Sequence, residues 1–178
     1  MVGRFGLNTH EDQWAMQEWR LEIFLLLWLV CINGAPILLA RWAGQKFNHP
    51  IDGNCLFIDD RPLLGTSKTF RGLVVALCIS VLMGMLFAMP LEVSLMFGAL
   101  SMAGDMTSSF IKRRLGLAPS AMALGLDQIP EALFPLLGCQ AFLALGDAQV
   151  ALIVLAFVVV ELLLSPILFK LGIRATPY

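Results

Sequence analysis

Long apolar segments separated by short polar ones dominate the chain. A helix that crosses a bilayer needs about 20 mostly apolar residues. Five segments approach or reach that length, and they are Ile23–Leu39, Leu73–Met89, Leu91–Ile111, Ile129–Leu145 and Ala148–Leu171. The pattern predicts an all-α, polytopic integral membrane protein, in which residues 23–178 form a single domain of five transmembrane helices.

The connections between these segments alternate in length. Pro90 alone separates the second segment from the third, and Gly146 with Asp147 separates the fourth from the fifth. Each of these pairs is therefore predicted to be an antiparallel hairpin. Two longer polar loops, residues 41–71 and 112–128, join the remaining segments.

Basic residues collect on one side of this five-span arrangement. They are Arg41, Lys46, Arg61, Lys68, Arg71, Lys112, Arg113, Arg114, Lys170 and Arg174. The positive-inside rule assigns such residues to the cytoplasm. We therefore expect a multi-pass protein of the cell (inner or plasma) membrane, with both long loops and the carboxyl terminus cytoplasmic and the amino terminus outside.

Residues 1–22 precede the first span and are mostly polar. Trp14 and Trp19 lie among charged residues there. Tryptophan anchors helices at membrane interfaces, so this segment is either a short extracytoplasmic interfacial helix or a disordered tail.

Composition agrees with a membrane protein and excludes other classes. Hydrophobic residues make up 58% of the chain and charged residues 14%, whereas soluble proteins are about half apolar and a quarter charged. The net charge of −1 gives no sign of a nucleic-acid partner. The four cysteines have neither CxxC nor Cys/His spacing, so neither a zinc site nor a disulfide framework is indicated.

Asp105 lies late in the third span, where charge at membrane depth is costly. Asp105, Ser109 and Lys112 are spaced i, i+4 and i+7, on one helical face. One interpretation is a structural ion pair with Lys112 or another helix. The other is a Mg²⁺ ligand at the cytoplasmic mouth, since Mg²⁺ prefers carboxylates, phosphate oxygens and water.

Asp127 precedes the fourth span and has two interpretations. It is placed to cap a helix whose first turn contains Pro130. Alternatively, it converges with Asp105 on one membrane face and helps to bind Mg²⁺, with Glu131 as a third ligand or an outer partner.

The segment from Gly65 to Gly72 combines glycines, hydroxyls and two basic residues, Lys68 and Arg71, before an apolar helix. Amide groups at a helix start favour phosphate oxygens, especially with lysine nearby. A basic loop that attracts lipid head groups is the alternative. Similarly, Asn33 and Pro36 in the first span and Glu161 in the fifth either line a polar cavity or serve only packing.

Several of these segments together resemble the CDP-archaeol synthase family, which is related to the CDP-diacylglycerol synthases. The matching stretches are residues 33–36, 60–65, 67–72, 104–116 and 125–128. The resemblance implies CTP-dependent cytidylyl transfer to a phosphatidate-like lipid phosphate with Mg²⁺ as cofactor, in phospholipid biosynthesis. The resemblance points to an archaeol-type lipid, whereas the sequence itself does not reveal whether the lipid carries isoprenoid ether or fatty acyl chains.

The resemblance also implies roles for individual residues. Asp105 and Asp127 would bind the metal and, with Lys68 and Lys112, form the catalytic set. The implied substrate-binding residues are Asn33, Arg61, Ser67, Thr69, Arg71, Ser109, Arg113 and Arg114. Related enzymes often have an acidic residue three positions after the second aspartate, where this chain has Pro130 followed by Glu131. A non-enzymatic transporter or lipid-binding scaffold is the alternative function, in which the acidic residues relay cations and the basic loops contact membrane lipids.

Overall fold

The computed structural model describes residues 9–118, 121 and 123–173. Helices account for the regular structure of this part of the chain, whose only β-type pairings are two isolated bridges. The helices are α1 (Thr9–Ala43), α2 (Phe70–Leu86), α3 (Leu91–Arg114), α4 (Gln128–Gly138), α5 (Gln140–Leu143) and α6 (Asp147–Lys170). The predicted all-α class is therefore confirmed.

Two helices are long and apolar enough to cross a membrane by length and composition. One is the part of α1 from Trp19 to Ala43, and the other is α6. The apolar helix α2 has 17 residues, and α3 has 24 residues with Asp105 and three basic residues in its carboxyl-terminal half. The count of five spans remains a prediction.

The first helix is longer than the predicted span. It runs without interruption from Thr9 to Ala43, so residue 22 is not the end of a structural element. Residues 1–8 of the proposed amino-terminal segment lie outside the described residues. Pro36 lies inside α1, where it removes one backbone donor without ending the helix.

The predicted fourth span is two helices rather than one. The helix α4 ends at Gly138, and the single-turn helix α5 follows after Cys139. Pro135 cannot donate a hydrogen bond within α4, and glycine is a poor helix former, so the sequence around Gly138 favours a break. A left-handed residue, Ala144, then ends α5.

Small residues bring the helices close together around one large aromatic side chain. Trp28 of α1 is fully buried, and its indole nitrogen donates to the Ser80 carbonyl in α2 over 3.1 Å. Its ring stacks on Phe97 of α3, with the ring centres 4.4 Å apart. This contact joins the first three helices at one level of the core.

The closest approach that shapes the site is between α3 and α4. A Cβ atom on Gly104 would lie 2.7 Å from the Glu131 amide nitrogen, which is closer than Cβ atoms approach other atoms in proteins. Only glycine therefore permits this contact. The contact brings Asp105, the next residue of α3, beside the first turn of α4.

Candidate functional site

A polar cavity of about 570 Å³ lies between the helices and the loop that precedes α2. Its walls come from α1, α3, α4, α6 and the segment around residues 66–73. The charged residues that line it are Arg41, Lys68, Arg71, Asp105, Lys112, Asp127, Glu131 and Glu161. Four acids and four bases therefore share one enclosure.

Lys68 and Asp105 form an ion pair across this cavity. The Lys68 Nζ atom lies 2.5 Å from Asp105 Oδ1 and 2.6 Å from Oδ2. Thr69 is the N-cap of α2 and accepts a hydrogen bond from the Gly72 amide, which fixes the backbone next to Lys68. One interpretation of Asp105 was an ion pair with Lys112 or another helix, and its ion-pair partner is Lys68, from the loop before α2.

Glu131 also interacts with Asp105. The Glu131 carboxyl group lies next to that of Asp105, and both residues line the cavity. Glu161 of α6 acts electrostatically on Glu131, and Asp127 acts on Lys68. The acids of α3, α4 and α6 are therefore coupled through one polar cluster.

Lys112 and Asp127 form the second ion pair of the cavity. Lys112 Nζ lies 2.6 Å from Asp127 Oδ1 and donates to the Ala121 carbonyl over 3.0 Å. The other carboxylate oxygen of Asp127 accepts from the Ala123 amide over 3.0 Å. Asp127 occupies the N-cap position of α4 but makes no capping hydrogen bond to that helix. The capping interpretation of Asp127 is therefore wrong.

Four other predicted residues line the cavity, with different partners. Arg71 donates to the carbonyls of Gly44 and Lys46, over 2.9 and 2.6 Å. Asn33 donates to the Ser101 hydroxyl over 3.2 Å. Ser67 and Thr69 complete this group.

The remaining predicted residues lie outside the cavity lining. Arg61 donates to the Arg114 carbonyl over 2.5 Å, at the carboxyl end of α3. Arg114 pairs with Asp59 and donates to the Pro62 carbonyl over 2.5 Å. The last carbonyl groups of a helix have no partner within the helix, so they attract cations such as these. Arg61 and Arg114 thus attach the 56–62 turn to α3.

Ser109 and Arg113 are buried within the protein, one turn apart on α3. Arg113 donates to the Ala118 carbonyl over 2.8 Å. Within the described residues, the Ser109 hydroxyl has no hydrogen-bond partner. Neither side chain reaches the cavity in this structure.

Several residues of the site were not predicted from the sequence. Asn48, Ile51 and Gln128 line the cavity without having been predicted to do so. Asp52 lies just outside the lining and organises the loop from residue 52 to 65 through three backbone amides. Its Asp-Gly-Asn sequence is typical of a turn in which aspartate binds the backbone two residues on, and that signal could have identified it.

The carboxyl oxygens that line the cavity suit a divalent cation that also binds a phosphate group. No group of three or more His, Cys, Asp or Glu side chains is arranged to hold a metal ion within residues 9–118, 121 and 123–173. Mg²⁺ usually takes only one or two carboxylates and completes its shell with phosphate oxygens and water. Asp105 and Glu131 supply two adjacent carboxyl groups, and Asp127 lines the same enclosure.

Comparison with known proteins gives a consistent result. A family sequence model described as CarS-like CDP-archaeol synthase matches residues 87–178. The chain is 37% identical over 158 residues to a CDP-archaeol synthase of Sulfurisphaera tokodaii, with 80% of this chain and 91% of the relative covered. It is 32% identical over 164 residues to that of Thermofilum pendens, with 86% and 79% covered.

A solved structure is also similar. It is described as an intramembrane enzyme for archaeal membrane lipid biosynthesis, and it aligns with a TM-score of 0.63 and 26% sequence identity. The alignment covers 79% of this chain and 89% of that chain.

Proposed function

Because this chain belongs to the CDP-archaeol synthase family, we propose that its charged cavity is the site of cytidylyl transfer from CTP to a lipid phosphate. The products are a CDP-activated lipid and pyrophosphate, so the protein is a nucleotidyltransferase of membrane lipid biosynthesis. The observation that supports this location is that two lysine–carboxylate pairs line one enclosure.

The reaction joins two anions, which sets the demands on the site. An oxygen of the lipid phosphate attacks the α-phosphorus of CTP, and the bond between the α-phosphorus and the bridging oxygen of pyrophosphate breaks. The attacking phosphate is already ionised near neutral pH, so no strong general base is needed. Phosphoryl-type transfer depends mainly on positioning and on neutralising charge. A cavity with several cations and carboxylates meets both demands.

Cytidylyl transfer uses a divalent cation, for which we propose Mg²⁺. Asp105, Asp127 and Glu131 are the residues that would hold it, since their carboxyl oxygens are the ligands that Mg²⁺ prefers. Bound there, the cation would offset the negative charge of the phosphates.

Lys68 and Lys112 are proposed to bind phosphate oxygens. Each is paired with a carboxylate that would hold the cation, so each would be free to bind a phosphate oxygen once its carboxylate had the cation as a neighbour. Lysine ammonium groups are compact and mobile enough for such an exchange of partners. Ser67, Thr69 and Asn33 would add neutral hydrogen-bond donors around the nucleotide.

The arginines are proposed to have a different role. Arg71 binds carbonyls of the loop after α1, and Arg61 and Arg114 bind the end of α3. We therefore propose that Arg71 supports the cavity wall, and that Arg61 and Arg114 support the end of α3 outside the cavity, rather than that any of them contacts phosphate. Ser109 and Arg113 support the same end of α3 from within the protein.

We also propose how the protein is arranged in the membrane. We propose that α4 and α5 together complete the fourth of five crossings. The cavity would then face the cytoplasm, where CTP is available, and the amino terminus would lie outside. A lateral opening would admit the lipid phosphate from the inner leaflet, as the excess of basic residues on that side supports.

Purified protein tests this proposal directly. It would be incubated with labelled CTP, Mg²⁺ and either an ether-linked or an acyl-linked lipid phosphate, and labelled CDP-lipid and pyrophosphate would be measured. Formation of both products in a one-to-one ratio, only when lipid phosphate is present, supports the function. Absence of product with every lipid, from folded protein, would contradict it and favour the non-enzymatic alternative.

A further inference from the structure

Asp52 is a buried acid of the first long loop that the proposed chemistry does not use. Its relative exposure is 8%. Its Oδ2 atom accepts from the amides of Leu64 and Gly65, over 2.9 and 3.0 Å, and Oδ1 accepts from the Asn54 amide over 3.0 Å. A buried carboxylate is expensive unless it is hydrogen-bonded, and these three amides satisfy it.

The charge state of Asp52 is consistent with this arrangement. Burial raises the pKa of Asp52, but the hydrogen bonds from backbone amides outweigh burial and hold the pKa below its usual range. The carboxylate is therefore ionised at neutral pH and holds both ends of the 52–65 loop.

The backbone held by Asp52 continues directly to Lys68. The Gly65 amide binds Asp52, and the Gly65 carbonyl accepts from the Lys68 amide over 3.3 Å. On the other side, the amide of Ile51 donates to the Lys68 carbonyl over 2.8 Å. The Lys68 amide is thus bound by a residue that Asp52 holds, and the Lys68 carbonyl is bound by the residue that precedes Asp52 in the chain.

We propose that Asp52 is a positioning residue, whose carboxylate fixes the segment from Gly65 to Thr69 so that Lys68 reaches into the cavity opposite Asp105. The inference rests on the proposed function, because it assigns Lys68 to that site. Asp52 is not among the residues that line the cavity, so it acts through the backbone and not on substrate.

Substitution of Asp52→Asn tests this role with little change in size. An amide nitrogen cannot accept a hydrogen bond, so at least one of the amides that bind Asp52 loses its acceptor. We expect the kcat/KM for CTP to fall roughly tenfold, since a small misplacement of a substrate-binding group is costly. Asp60→Asn is the matched control: Asp60 is exposed on the same loop, and its positive φ of 59° is one that asparagine tolerates.

A double-mutant cycle separates positioning of Lys68 from a general structural effect. If Asp52 acts through Lys68, Asp52→Asn lowers kcat/KM by less than about twofold when Lys68→Ala is already present. An equal loss in both backgrounds would overturn the inference. For the least active variants, the rate is obtained from the amount of CDP-lipid that accumulates over a long incubation.

Amide hydrogen exchange provides a second readout that does not depend on activity. Asp52→Asn should accelerate exchange in the peptide that contains residues 64–70, whereas Asp60→Asn should not. Unchanged exchange in that peptide would also overturn the inference. If the unsubstituted protein makes no CDP-lipid, the proposed function fails, while the exchange comparison still decides whether Asp52 orders the Lys68 segment.

Discussion

Lys68 Nζ lies within 2.6 Å of both carboxylate oxygens of Asp105, although the two residues are 37 positions apart in the chain. One comes from a loop before α2 and the other from the interior of α3. A second pair, Lys112 with Asp127, repeats the arrangement on the same cavity. Each of the two aspartates proposed to hold the cation is therefore paired with a candidate phosphate-binding lysine, and this pairing leads to the first two predictions.

Substituting either aspartate should abolish catalysis without preventing folding. We expect Asp105→Asn and Asp127→Asn each to lower CDP-lipid formation by on the order of a hundredfold or more, as is typical when one electrostatic contact to a transition state is lost. Product formation at saturating CTP and lipid phosphate is the measurement, and gel filtration checks that the variants remain folded.

Glu92→Gln provides the control for these two variants. Glu92 lies in the first turn of α3, far along the helix from Asp105, and its side chain is exposed. It should retain normal turnover. Near-normal turnover in either aspartate variant would remove that residue from the proposed metal site.

Lys68 should compete with a metal ion for Asp105. Lys68→Gln removes the competing cation, so we expect Mn²⁺, used as a spectroscopic substitute for Mg²⁺, to bind about threefold to tenfold more tightly in the absence of nucleotide. The same variant should have a higher KM for CTP, because a phosphate-binding group is lost. Electron paramagnetic resonance of free Mn²⁺ measures the first effect, and steady-state kinetics measures the second.

Lys46→Gln is the matched control, since Lys46 is exposed on the loop after α1. Neither Mn²⁺ affinity nor the KM for CTP should change in it. Weaker Mn²⁺ binding by Lys68→Gln would show that Lys68 supports the metal site instead of competing for it.

Some of this arrangement was predictable from the sequence. The apolar lengths of the first and last helices indicate membrane segments, and charge retained near membrane depth marks Asp105. The pairing of Lys68 with Asp105 was not predictable, because it depends on how the loop of residues 44–69 folds back over α3. Local patterns describe single elements, whereas such a contact is set by tertiary packing.

The contacts of two arginines were likewise not predictable from the sequence. Arg61 and Arg114 occur in basic motifs, and the family resemblance implied substrate contact for both. Their carbonyl partners become visible only when the end of α3 and the 56–62 turn are placed together. A motif identifies residues near a site but does not distinguish a residue that contacts the ligand from one that contacts only the protein.

Gly104 should be required for the contact between α3 and α4. In Gly104→Ala, the added methyl group would meet the backbone of Pro130 and Glu131, which cannot rotate away. We expect a loss of about 1–3 kcal/mol in unfolding free energy, the usual cost of overpacking, and a lower rate of CDP-lipid formation because Asp105 moves away from α4. Thermal unfolding in detergent measures the loss of stability.

Gly34→Ala provides the comparison for stability. Gly34 also lies within a helix, and nothing would lie within 4 Å of a Cβ atom there. Since alanine favours helices, this variant should be unchanged in stability or up to about 1 kcal/mol more stable. Equal melting temperatures for the two variants would mean that the close approach at Gly104 is not needed.

Arg114 should affect stability more than nucleotide use. Its guanidinium pairs with Asp59, binds the Pro62 carbonyl and lies 4.8 Å from the centre of the Phe57 ring. Arg114→Gln removes the charge and the cation–π contact, so we expect a loss of about 1 kcal/mol in unfolding free energy. The KM for CTP should remain within about twofold of the unsubstituted value, because residues outside a substrate site change binding little. A large rise in this KM with no change in melting temperature would instead place Arg114 in contact with the nucleotide, and its role would change from supporting the end of α3 to binding substrate.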